Sequence, residues 1–482
     1  MDIFKPAFRI GAFVMALWGI FMLIPLAVTH GQTQEIDDFL LSAGCCFLLA
    51  LLLFWLSRGE LPLIKPRALF LVTALNWLLL CATGALPYLF ASLDINLANA
   101  VFESVSGVTT TGSTTLTGLD QLPHSLLLWR SITQWVGGIG IILVAVAVLP
   151  VLRVGGMRLF RTESSEWTHL NDSHIRHIAS QIGVVYLGIS IICFLVYLGL
   201  GMSWFNALNH TFTTLSTGGY STSDSSFGQF QNPSLMWASA VFMLLAGCPF
   251  LLLVASIQKS PLLLFQDKQV RLLLILVAIA SLTVSAYRLL VEPGLEPADV
   301  LTTSTFNIVS IITTTGYASV DYTLWGSFPI LIFGFLTFCG ACSGSTSGGI
   351  KLFRFQLLAI FMREHILKAL HPNAKVARFY HDRIVSEEIL VASLAFLFFA
   401  AISWVVVSLL LALCGLDSVT ALSASLTALM NVGPGFGPII GPAGNFSTLP
   451  DAAKYILSIA MLLGRLEYLA LVIIFTRGFW RW

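Results

Sequence analysis

The stretch Ile312–Gly316, ITTTG, lies between two long apolar runs and recurs almost unchanged as VTTTG at Val108–Gly112. A hydroxyl-rich turn is out of place in such greasy surroundings, so its copies decide the fold. A search for internal repetition finds four of them. They are SVSGVTTTGST ending at Thr114, TFTTLSTGGYS ending at Ser221, VSIITTTGYAS ending at Ser319 and LTALMNVGPGFG ending at Gly437. Aligned on Gly112, Gly218, Gly316 and Gly433, they stand 106, 98 and 117 residues apart. Nine positions before the glycine, the first three copies carry Glu103, Asn209 and Asn307; the fourth has Ala424 and is the most divergent.

The frame around the turns is a membrane protein. With 57% hydrophobic and 10% charged residues over 482 positions, the chain exceeds what a soluble domain can hide. Apolar runs long enough to cross a hydrocarbon core, roughly 20 helical residues each, fall near 8–30, 39–57, 68–92, 125–150, 176–200, 233–257, 271–291, 326–360, 386–414 and 452–478, ten spans in all. The first run is too long for the core of a cleavable signal peptide. Basic residues, from Lys5 and Arg9 through Lys65, Arg153–Arg176 and Arg363–Arg383 to Arg477, gather on one side, which the positive-inside rule makes cytoplasmic, both termini included. The opposite loops are acidic, with Glu35, Asp94, Asp224, Glu296 and Asp321 among them, and attract cations. A net charge of +1 hides this division, and no basic stripe for nucleic acid is present.

The segments preceding the turns are too short to span, so they re-enter. Irregular backbone at membrane depth is tolerated only where protein buries it or it lines water, because an unpaired carbonyl in lipid costs several kcal/mol. A pore meets that condition. Thr-Gly turns can direct carbonyl oxygens at a central axis and replace the hydration shell of a monovalent cation. Short helices before them aim their negative ends at the same axis. The predicted filter is Thr110, Thr111 and Gly112; Ser216, Thr217 and Gly218; Thr314, Thr315 and Gly316; and Asn431, Val432 and Gly433. The fold expected is an all-α polytopic membrane protein. It has two additional N-terminal helices in residues 1–60 and four pseudo-symmetric pore repeats at 61–165, 166–265, 266–375 and 376–482.

Two further stretches break local rules. Residues 339–349, CGACSGSTSGG, put Gly and Ser inside what should be one helix, and at about 1 kcal/mol per glycine the helix breaks there. Arg465 sits near the middle of a span, where insertion costs at least about 2.5 kcal/mol, so it must face water or a partner. Glu467, about 200° further round a helix, is poorly placed to pair with it. Arg130 lies nearer an outer end and is expected to snorkel. Cys339 and Cys342 read as small packing residues and His169, His174 and His177 as solvated side chains, not as metal ligands.

The four turns, GSTSGGIKLFRF at Gly344–Phe355 and LGRLEYLALVIIF at Leu463–Phe475 resemble the Trk/Ktr/HKT superfamily of potassium transporters over nearly the whole chain. The two extra N-terminal spans look like those of the bacterial Trk-type pore subunit. The resemblance implies an intramembrane gating loop at Gly344, Ser345, Thr346, Ser347, Gly348 and Gly349, followed by Lys351, with Arg465 as an electrostatic barrier below the filter. It implies potassium as the transported ion, bound at the filter residues, and no organic cofactor. It further implies an inner-membrane homodimer in lipid, paired with a cytoplasmic ring of nucleotide-binding regulatory subunits that docks on the basic loops. Glycine at all four aligned positions favours potassium over sodium. Coupled potassium symport with sodium or protons remains open beside a gated channel. A polytopic enzyme is the competitor from another class, but no P-loop, nucleophile elbow or zinc signature is present, so no catalytic residues are assigned.

Overall fold

A computed structural model describes residues 4–29, 33–60, 66–91, 93, 95–147, 172–380 and 383–481. The basic positions Lys65, Arg153, Arg158 and Arg161, together with Asp94 and His169, lie outside the described residues. Among the described residues seven helices are long and apolar enough to cross a membrane, or eight if a bent pair counts as one span, starting with Phe4–Val28 and Thr33–Leu56. These two pair antiparallel: Arg9 near the start of the first donates to the Ser57 carbonyl (2.7 Å) and hydroxyl (3.0 Å) just past the end of the second. They bury Trp18, Met22 and Cys46 and set Trp18 against Trp129 of the first repeat, ring centroids 4.9 Å apart and tilted by 57°.

Four repeats follow, each a long helix, a short helix ending in a turn, and a second long helix. The short helices are Leu97–Val108, Trp204–Leu215, Pro297–Ile312 and Ser418–Met430. Their starts carry ordinary start signals. Asn96, Ser203 and Asp417 cap three by accepting from the amides of Asn99, Asn206 and Thr420, and Pro297 opens the fourth. All four lie inside the protein, and the outer surface carries Leu48, Leu290, Phe335 and Leu413, the side chains a lipid phase would cover.

The second long helices differ among themselves. His124–Ala147 in the first repeat is continuous. The run at 233–257, expected to be one span, is instead two helices, Pro233–Ala246 and Phe250–Gln258, bent by 100°. Pro249 lacks an N–H and its ring excludes the preceding turn, which ends the helix at Gly247 and Cys248. The run at 326–360 breaks into Ser327–Phe338 and Leu352–Leu370, as its glycines and serines predict. The last run, read as a single span over 452–478, stops at Arg465, where Glu467 and Tyr468 turn left-handed with φ of 56° and 47°. On the far side of Leu352–Leu370, a hairpin pairs Phe379–Tyr380 with Arg383–Ile384.

Candidate functional site

The four turns share one backbone course. In each, an amide five residues on reaches back into the end of the short helix: Thr111 to the Ser106 carbonyl (2.9 Å), Gly218 to Thr213 (2.9 Å), Thr315 to Ser310 (2.8 Å) and Val432 to Thr427 (3.1 Å). One residue earlier, Thr110, Thr217, Thr314 and Asn431 are left-handed, with φ between 51° and 59°. A non-glycine residue adopts that conformation at a cost of roughly 1–2 kcal/mol, so four repetitions mark one motif. The glycine that follows is again at positive φ: Gly112, Gly219, Gly316 and Gly433.

That sequence of angles corrects the alignment of the second repeat by one position. Gly218 corresponds to Thr111, Thr315 and Val432, and Gly219, not Gly218, is the counterpart of Gly112. Nine positions before Gly219 stands His210, and it does what the first and third copies do. Glu103 accepts from the Thr114 hydroxyl (2.6 Å) and the Thr115 amide; Asn307 donates to the Ser319 hydroxyl (2.8 Å) and accepts from its amide (3.1 Å). His210 Nε2 meets the Ser221 hydroxyl at 3.1 Å. Asn209 points elsewhere and accepts from Ser131 at 2.7 Å. His210 was detectable from sequence only by trying the second of the two glycines in STGG.

The turns close into a ring. A Cβ on Gly112 would overlap the carbonyl oxygen of Gly218, one on Gly219 that of Thr315, and one on Gly316 that of Val432; one on Gly433 would come within 2.9 Å of the Thr111 carbonyl oxygen. Each repeat's glycine thus abuts the carbonyl of the next repeat, and the fourth returns to the first. Hydrogen bonds cross the same seams, from Asn431 Nδ2 to Thr111 Oγ1 (2.9 Å) and from Ser113 Oγ to the Gly433 carbonyl (2.8 Å). Thr110 Oγ1 and Asn431 Oδ1 are buried with no hydrogen-bond partner among the described residues.

Arg130 does not snorkel; it is 1% exposed. Its Nε faces Glu103 at 3.3 Å, its other nitrogens reach the Ser221 carbonyl (3.2 Å) and Thr114 hydroxyl (3.0 Å), and the guanidinium lies 4.1 Å over the Tyr220 ring. A buried charge is retained only where it is paired and hydrogen-bonded, and Glu103, 27 positions earlier, supplies the pairing. The pair braces the first two turns from behind.

The broken third-repeat helix places a loop against the ring. Its base is closed by the Gly340 amide to the Ile350 carbonyl (2.9 Å) and the Ile350 amide to the Phe338 carbonyl (3.1 Å). From there the chain folds into the bend of the second repeat. Cys342 donates to the Gly247 carbonyl (3.1 Å), Thr346 Oγ1 to the Ala246 carbonyl (3.1 Å), and the Phe250 amide to the Gly344 carbonyl (2.9 Å). The bend therefore exposes backbone groups that the loop satisfies. At its tip the loop touches two left-handed ring residues: the Gly348 amide donates to Thr314 Oγ1 (2.7 Å) and Thr217 Oγ1 to Thr346 Oγ1 (3.3 Å). Ser345 and Ser347 bond each other at 2.8 Å, and Lys351 Nζ folds back to the Ser347 carbonyl and hydroxyl.

Arg465 reaches the same loop. Its Nη1 donates to the Thr346 carbonyl at 2.9 Å, while Nε and Nη2 are buried with no hydrogen-bond partner among the described residues. Glu467 is committed elsewhere, to Arg354 at 2.8 Å. The expected ring and gating positions thus meet in one contiguous cluster, with Gly219, His210 and Arg130 added, and with Gln134, whose Nε2 donates to the Gly218 carbonyl at 2.7 Å.

Comparisons with known proteins agree with this architecture. The family model described as TrkH, cation transport protein, matches residues 39–479. The chain is 41% identical over 479 residues, covering 99% of it and 97% of the relative, to the Trk system potassium uptake protein TrkI of Halomonas elongata. It is 36% identical over 441 residues, 89% of each chain, to the Trk system potassium uptake protein TrkH of Escherichia coli K12. The crystal structure of the potassium transporter TrkH from Vibrio parahaemolyticus superposes with a TM-score of 0.91 at 32% identity, covering 99% of this chain and all of that one.

Proposed function

This chain belongs to the TrkH family of cation transport proteins, and we propose that it takes up potassium across the cytoplasmic membrane through one pore at the centre of its four repeats. The closed ring of glycine-to-carbonyl contacts carries the reading. Carbonyls at 111, 218, 315 and 432, one from each repeat, stand in cyclic order at the seams between turns. Such an array supplies oxygen ligands in place of hydration water, and glycine is required because a side chain would strike the neighbouring carbonyl. The unpartnered Thr110 and Asn431 oxygens add donors on the same turns. The names of the relatives support potassium as cargo.

Residues 344–349 are the gate in this reading. The ties of the loop to Thr314 and Thr217 of the ring and to Arg465 support a position across the route of an ion leaving the filter. Arg465 and Lys351 oppose cations there until the loop moves. The four units correspond to residues 61–165, 166–265, 266–375 and 376–482, and both termini are cytoplasmic. In this reading a cytoplasmic nucleotide-binding ring acts on a homodimer of the chain, its docking supported by the short cytoplasmic loops among the described residues, such as that around the Phe379–Ile384 hairpin.

Flux into liposomes containing the purified chain tests the proposal, with potassium, rubidium or sodium supplied and sodium and proton gradients imposed or abolished. Uptake that follows the potassium gradient alone is expected. A requirement for a second gradient would replace the channel with a coupled carrier. No cation movement, even with regulatory subunits added, would refute the filter.

A further inference from the structure

The four ring carbonyls come from Thr111, Gly218, Thr315 and Val432. Three of these carry β-branched side chains, which stiffen the backbone at their own position. The second repeat has instead Gly218 followed by Gly219, the pairing with the greatest backbone freedom. In repeats one and three the side chain is anchored, Thr111 Oγ1 to Thr109 Oγ1 (2.7 Å) and Thr315 Oγ1 to Thr313 Oγ1 (2.9 Å). Gly218 can make no such bond.

The missing group is supplied from another helix. Gln134, fully buried on the continuous helix His124–Ala147, donates from Nε2 to the Gly218 carbonyl (2.7 Å) and accepts at Oε1 from the Tyr220 amide (3.1 Å). The two partners fix the amide's orientation, since a carbonyl only accepts and an N–H only donates. A Cβ on Gly218 would overlap Gln134 Cδ, so the glutamine occupies the space that a threonine side chain fills in the first and third repeats. Gly218 does not have positive φ, so this occupancy alone excludes a side chain there.

We infer that Gln134 is a positioning residue for selectivity: it stands in for the absent side chain, aligns the peptide groups on either side of Gly219 and holds the Gly218 carbonyl in register with the other three. The inference rests on the filter reading above. Its donation uses one lone pair of that oxygen and leaves the other for an ion, so the second quarter of the ring is held in place at the expense of ligand strength.

The test measures potassium and sodium uptake by proteoliposomes of the full chain for Gln134→Ala, Gln134→Leu, Gly218→Thr, the double variant Gln134→Ala with Gly218→Thr, and Gly112→Ser. Gln134→Leu keeps most of the volume and guards against collapse, and thermal melting in detergent reports folding. Both Gln134 variants are expected to lower the potassium-to-sodium ratio about fivefold, the worth of one hydrogen bond of about 1 kcal/mol. Gly218→Thr alone should lose transport through its clash. The double variant, which rebuilds the Thr-Thr-Gly of the first repeat, should recover transport, as relief of the clash alone would allow, and also the selectivity lost in Gln134→Ala, which relief of the clash alone would not restore. An unchanged ratio in Gln134→Ala and Gln134→Leu while Gly112→Ser lowers it would overturn the inference and leave the filter standing. If Gly112→Ser also leaves the ratio unchanged, the filter reading fails and this inference with it.

Discussion

Replacing Arg465 with alanine should open the pore in the absence of any regulator. The guanidinium holds the loop through one bond, 2.9 Å to the Thr346 carbonyl, and a hydrogen bond to a charged group contributes about 1.5–3 kcal/mol net. Movement of the loop must break it, so the variant lowers the cost of moving by about 2 kcal/mol and raises the displaced population about 30-fold. The tethers to Thr314, Ala246 and the Phe250 amide remain in parent and variant alike and set the starting population, not this ratio. Removing a cation from the route favours entry in the same direction. The assay is initial rubidium uptake by proteoliposomes of the purified chain alone, normalised to protein that melts as the parent does. Arg465→Lys separates the two effects, since it keeps the charge and loses the planar fork, and should fall between parent and alanine. An alanine variant that folds and conducts no faster than the parent would refute the idea that Arg465 restrains the loop.

Deleting residues 344–349 should likewise raise flux, and a silent deletion would reduce the loop to packing. Gly112→Ser and Gly316→Ser each push a Cβ into a neighbouring carbonyl and should erode the potassium-to-sodium ratio in competitive uptake; unchanged ratios in both would remove those turns from the filter. Arg130→Met strands the Glu103 carboxylate and should cost about 3–5 kcal/mol in detergent unfolding, whereas adding Glu103→Gln should recover part of the loss. Beside the Phe379–Ile384 hairpin, Arg378 and Lys368 donate to Glu364 and hold its carboxyl down to about 2. A depressed carboxyl stabilises above its unfolded value of about 4.3 and loses that contribution as pH falls toward 2. A spin-label pair joining the helix to the Phe379–Ile384 hairpin should hold its distance through pH 4 and separate as pH falls toward 2, whereas Glu364→Gln should loosen it at every pH; a parent midpoint near 4.3 would contradict the pairing.

Features set by local chemistry were legible in the sequence. The length of the apolar runs, the four Thr-Gly turns, the Gly-Ser break after Phe338 and the oddity of a mid-span arginine all follow from residue type and spacing. What was missed depends on choices that spacing does not express. STGG offers two glycines, and only the backbone says that Gly219 takes the positive φ, which moved the equivalent of Glu103 from Asn209 to His210. Arg130 was read as snorkelling because its partner lies a whole helix earlier in the chain. The bend at Gly247–Pro249 was masked because the apolar run continues through it, although the proline was a readable signal. Gln134 gave none, since a lone glutamine in a span looks like any other.

The seams between the turns have a further consequence for how such a protein changes over generations. A ring built from four identical subunits must accept every mutation in quadruplicate, and a substitution tolerable once can be lethal four times over. Here all four quarters are written separately in one gene, so each can be altered singly while the other three hold the shape. The positions just after the ring glycines already record that freedom, as Ser113, Tyr220, Tyr317 and Pro434. Each turn touches its neighbour, however, so a change in one quarter alters the constraints on the next.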